Sequence, residues 1–237
     1  MLSERLSDPR LLERAPRLAV PVFVDTDVRA DVAKRLVVED LPSVVIFDPD
    51  LGVIGRHEND YRNDADALVA MLDALPARRA EAESEWAAAR AAVEARPSDG
   101  RAAVALGNVA FRRLRLDRAD EEYSRALPLL AGGEDEDLRD DVEIARIHVR
   151  VIRCEMEDAI ALADRFLARA KDGPFRARAL YYRGYALVDL RRLGEARESL
   201  AAAAADARAG AQWRSAARSL LESLGAEASP ERGQRER

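Results

Sequence analysis

Two stretches of this chain carry small residues at one fixed spacing. Gly107, Ala119, Tyr123 and Ala126 fall at relative positions 0, 12, 16 and 19, and Gly184, Ala196, Leu200 and Ala203 repeat the same four. A mid-helix glycine is costly unless another backbone approaches it closely. A second helix bringing alanines to the crossing supplies that approach, with Tyr123 or Leu200 filling the space beside it. The spacing therefore predicts two helical hairpins of one design. A degenerate copy lies between them: Ile147, Ala159, Ala163 and Phe166 sit at the same positions, and only Ala159 clearly agrees.

The pattern resembles the tetratricopeptide repeat, in which paired helices of about 34 residues stack into a solenoid. The intervals here are longer, 40 residues from Gly107 to Ile147 and 37 from Ile147 to Gly184. The first excess is accounted for by the acidic insertion Ala131–Asp137; six acids fall within 134–141, opposed by Arg139. Such a run reads as a docking loop or, more simply, as a solvated linker with acids near a helix start. After Gly210, Trp213, Ala216, Ala217, Leu220, Leu221 and Leu224 predict a capping helix, and the charged tail 226–237 predicts disorder. The resemblance implies that the first helix of each hairpin lines a groove holding a partner peptide or helix. By offset from the glycines, the groove positions are Arg101, Val104, Asn108, Phe111 and Arg112 in the first copy. His148 falls in the middle one, and Arg178, Tyr181, Tyr185 and Val188 in the last. Aromatic rings with arginines suit a peptide carrying apolar anchors and acidic groups. Phe111 and Tyr181 could equally pack between repeats. Of the lysine and asparagine set by which chaperone-binding relatives grip a terminal carboxylate, Asn108 alone matches.

The first third alternates strand and helix. Ala19–Asp25 reads as a short buried strand, Asp27 as the cap of a helix through about Val37, and Val44–Phe47 as a second strand ending in a turn. Val53–Arg56 returns antiparallel, and Asp64 opens an amphipathic helix stopped at Pro76. A separate helix over 77–96 follows. These elements resemble the last two-thirds of a thioredoxin fold, over roughly residues 8–75. In that family the proline matching Pro42 is cis and lies beside the redox centre. The family's Cys-x-x-Cys has no counterpart, since the only cysteine is Cys154, so thiol–disulfide chemistry is not expected. The family's central strand is missing too. Either two strands close on each other, or a partner donates the third, or the reading frame starts upstream.

Among 237 residues, 35% are charged and the net charge is −6, with arginines interleaved among acids. That distribution speaks against nucleic acid. No apolar run approaches the roughly 20 residues that span a bilayer, and Met1–Leu6 lacks the apolar core of a signal peptide. A cytoplasmic location, no membrane contact and no cofactor or metal are expected. His57 and His148 have no acid or cysteine at ligand spacing, Cys154 reads as a half-buried thiol in a helical turn, and caps and turns explain Asp25, Asp27, Asp48 and Asp50. The expected architecture is α/β plus all-α, an incomplete thioredoxin-like sheet followed by a tetratricopeptide-type solenoid. Its divisions are 1–76, a linker helix 77–98, repeats with their cap over 99–225, and the tail. The function expected is a non-catalytic protein-interaction module. Its domain order is similar to that of chaperedoxins, which implies a holdase role. The alternatives are a truncated thiol–disulfide oxidoreductase and an assembly factor that forms homo-oligomers through its incomplete sheet edge.

Overall fold

The computed structural model describes residues 8–20, 22, 24–25, 27–36, 38, 43–49, 52–57, 65–130 and 135–227, mostly helical with one two-stranded antiparallel sheet. The chain divides into two compact units, Met1–Leu129 and Leu130–Arg237. Pro42, Asp50, Asp64 and the tail beyond Glu227 lie outside the described residues.

In the first unit, α1 (Pro9–Leu18) opens at Asp8, whose carboxylate accepts the Arg10 N–H at 2.8 Å. α2 is the short helix Ala30–Arg35. Strands β1 (Val44–Phe47) and β2 (Val53–His57) pair antiparallel, with Ile46 opposite Gly55. Their turn is closed by the Gly52 N–H donating to Asp48 Oδ1 at 2.7 Å and by the Asp48 N–H donating to the Gly52 carbonyl at 2.8 Å. Leu11, Ile46, Val69, Met71, Leu72 and Leu75 form the small core between α1, the sheet and the start of α3 (Ala65–Ala95).

Three expectations are corrected here. Ala19, Val20, Val22, Val24 and Asp25 belong to no strand, and Val20 and Val22 are 88% and 79% exposed. A β-branched run makes a strand only where a neighbour completes the ladder, and Pro21 lacks a ladder N–H. Asp27 caps nothing: its N–H donates to Asp25 Oδ1 at 3.0 Å, and α2 begins three residues later after Arg29. Finally, the helix expected to stop at Pro76 runs through it, so residues 77–95 continue α3. An internal proline costs about 3 kcal/mol. Packing on both sides outweighs it: Leu72 and Leu75 are buried against the sheet, whereas Trp86, Ala89 and Val93 pack on the next helix.

That helix, α4 (Gly100–Arg112), is capped by Asp99, whose carboxylate accepts the N–H groups of Arg101 and Ala102 at 2.9 and 3.3 Å. It forms a hairpin with α5 (Leu116–Leu129). The second unit holds a hairpin of α6 (Glu136–Ile152) and α7 (Met156–Arg169), another of α8 (Arg176–Asp189) and α9 (Leu193–Ala205), and a final helix α10 (Ala211–Glu227). α10 packs against this core with Trp213, Ala217, Leu220, Leu221 and Leu224; Ala216, expected on the same face, is not part of it.

The three hairpins share one turn, residue for residue. Leu114, Cys154 and Arg191, each seven positions beyond Gly107, Ile147 and Gly184, have φ of 52°, 60° and 60°. The following N–H groups, of Arg115, Glu155 and Arg192, each donate five residues back, to the carbonyls of Ala110, Arg150 and Leu187 at 2.9 Å. This is the Schellman arrangement, with a non-glycine residue in the left-handed position. At the helix crossings a Cβ on Gly107 would lie 2.7 Å from the Tyr123 ring, and one on Gly184 2.6 Å from Leu200. The middle hairpin reverses the sizes: Ile147 and Ala163 occupy those two positions, both fully buried in the same core.

Within the first unit, Asp48 does more than close a turn. It is buried and accepts from Arg113 and, at 3.3 Å, from Arg115, both beside the α4–α5 turn. The Val53 N–H donates to the Arg113 carbonyl at 2.9 Å. The sheet is thereby fixed to the first hairpin.

Candidate interaction surface

The offset-derived positions separate by unit. In the first, Arg101 is exposed at the start of α4, and Phe111 is half-buried near its end. Tyr123 lies across Gly107 and donates its hydroxyl to Asn108 Oδ1 at 2.8 Å, so the acceptor of Asn108 is engaged by its own hairpin. Arg112 is ion-paired with Glu85 of α3. Val104 is buried.

In the second unit, α6, α8 and α10 are neighbours, and their side chains converge. The His148 ring of α6 stacks on Tyr182 of α8, with centroids 4.6 Å apart and planes at 21°. Tyr182 meets Trp213 of α10 edge-on at 5.5 Å, and Tyr181 lies 5.5 Å from both. Such pairs contribute about 0.5–1.5 kcal/mol beyond burial. Arg178 of α8 is bonded to Asp141 of α6 at 2.6 Å, and its guanidinium lies 5.3 Å over the Trp213 ring and 5.8 Å over Phe175. Tyr185, one turn beyond Tyr181, is half-buried against the same core, as is Val188.

The electrostatics follow from that packing. Burial, with the Arg178 charge adding to it, lowers the His148 imidazole to about 4. Burial pushes the Tyr182 phenol up. The stack is therefore neutral at pH 7 and holds one pinned cation beside it.

Of the offset-derived positions, the structure brings His148, Arg178 and Tyr181 into one cluster. Tyr182, Asp141 and Trp213 belong to the same cluster and were missed as site residues. The paired Tyr181-Tyr182 was the available signal, because adjacent tyrosines point to different neighbours on a helix. Of the acidic run, residues 131–134 lie outside the described residues. Asp140 pairs with Arg169 and Asp141 with Arg178, so these two acids tie α6 to α7 and α8 within the unit. Cys154 is exposed rather than half-buried, because the left-handed turn turns its side chain outward. Among the described residues no three His, Cys, Asp or Glu side chains gather to hold a metal, and no helix is long and apolar enough to cross a membrane.

No protein-family model, curated protein or solved structure matches this chain.

Proposed function

We propose that this chain is a non-catalytic protein-interaction module of the tetratricopeptide type, with a partial thioredoxin-like region ahead of its hairpins. It holds a client peptide or helix against the second unit's α6, α8 and α10, in the manner of a holdase. The observation that carries this reading is the cluster on α6, α8 and α10. Half-buried Tyr181, Tyr185 and Trp213 beside a fixed arginine have the composition of a protein-binding hot spot. The three identical turns support the repeat reading, since the same backbone bonds recur at the same offsets in all three hairpins.

The test is suppression of aggregation. At equimolar amounts the chain should reduce light scattering from a chemically denatured client enzyme, and a Tyr181→Ala, Tyr185→Ala double variant of unchanged helicity should lose most of that effect. Undiminished scattering with the parent chain would sink the proposal.

A second reading, self-assembly through the sheet edge, has its own support. Val20, Val22, Val24 and Val28 are exposed, and the sheet has two strands among the described residues. A monomeric mass at all concentrations, or a dimer indifferent to Val22→Lys, would rule it out.

A further inference from the structure

In the first unit a cavity of about 240 Å³ opens between the β1–β2 turn, α3 and the α4–α5 turn. Its charged walls are Arg79, Arg113, Arg115, Asp48 and Glu83, and Trp86 also lines it. The Arg113 side chain is 6% exposed, and its Nε–H is buried without an acceptor among the described residues. A water or an ion can satisfy a buried donor in that state. The guanidinium carbons of Arg113 and Arg115 lie 5.7 and 4.8 Å from the Trp86 ring centroid, so both cations are held in position before any ligand arrives. Arg79 and Glu83 pair at 2.8 Å, with about half of each side chain exposed.

The geometry points to an oxyanion-binding site in this cavity, taking a phosphate or carboxylate group by charge-assisted hydrogen bonds from arginine. Guanidinium forks match both of those anions in shape as well as charge. Asp48 is the internal counter-ion that keeps Arg113 and Arg115 in place. Glu83 is a repulsive element on the cavity wall, and weakens any anion that enters. The site is independent of the client-binding surface on α6, α8 and α10.

The experiment uses the full chain with Trp213→Phe, which leaves Trp86 as its one tryptophan. Emission is followed during titration with potassium phosphate and, separately, potassium acetate, at ionic strength held constant with potassium chloride. A saturable change is expected, and the thermal midpoint of the unaltered chain should rise with the same half-saturation. Arg79→Gln should weaken binding by roughly tenfold, the loss of one charge-assisted contact. Glu83→Gln should tighten it, a gain that misfolding cannot mimic. Tighter binding of phosphate identifies a phosphoryl ligand. Tighter binding of acetate identifies a carboxylate, as on an acidic side chain or a polypeptide terminus. The site is disproved if neither salt gives a response beyond chloride, or if both variants respond as the parent does.

Discussion

Leu114, Cys154 and Arg191 sit in backbone conformations that a Cβ makes unfavourable by roughly 1–2 kcal/mol. Glycine removes that clash and returns part of the gain as unfolded-state entropy. Each of Leu114→Gly, Cys154→Gly and Arg191→Gly is therefore expected to raise unfolding free energy by about 1 kcal/mol. Urea midpoints would show it, and a fall at all three positions would refute the turn geometry. His148 makes an opposite kind of statement. Its folded pKa of about 4 lies below the ordinary 6.5, so between those values the unfolded chain takes up a proton that the folded one refuses. The neutral stack is thus at full strength above about pH 6.5. On acidification it loses up to about 3 kcal/mol by pH 4, where the loss levels off. Carboxylates titrate in the same range, so the measurement is the difference between the parent and His148→Gln. That variant should lack this component of the pH dependence, and parallel stability curves would show that His148 is not buried neutral.

At the scale of the element, the helix crossings decide what each hairpin tolerates. Gly184→Ala pushes a methyl group into Leu200 and is expected to cost about 1–3 kcal/mol. Adding Leu200→Ala should recover part of that loss, giving a non-zero coupling energy in a double-mutant cycle; strict additivity would mean that the two do not touch. These crossings were legible in the sequence because their requirement is local in chemistry: a small residue, then a large one sixteen positions later. The Asp48 arrangement was not, since its arginine partner Arg113 lies 65 residues away and no spacing rule joins them. The strand expected over 19–25 failed for a related reason. β-Branched residues report what a segment favours when paired, and leave open whether a neighbouring strand exists. Pro76 likewise announces a break, but the packing of Leu75 on one side and Trp86 on the other keeps the helix continuous.

On the scale of the molecule, each unit has its own interior. The second buries a continuous core running from Ile144 and Ile147 through Phe166, Leu187 and Leu200 to Leu224. A fragment beginning at Leu130 is accordingly expected to fold alone, with cooperative loss of far-UV ellipticity on heating. A fragment that melts without a transition would show that the core depends on the preceding residues. Of the aromatic cluster on α6, α8 and α10, the sequence offsets single out His148, Arg178 and Tyr181. Trp213 is not singled out by them, since its place in the sequence marks only a terminal helix, although it joins the cluster through Tyr181, Tyr182 and Arg178.

The alternation of sizes across the three crossings also limits how such a chain can be rearranged. Gly107 faces Tyr123 and Gly184 faces Leu200, while Ile147 and Ala163 reverse the order. Grafting α7 in place of α9 would set an alanine against a glycine and leave a void, and grafting α5 in place of α7 would drive a tyrosine ring into an isoleucine. A chimera joined inside one of the turns would therefore pair two helices that no longer fit at their crossing, whereas a hairpin moved whole keeps its own crossing intact.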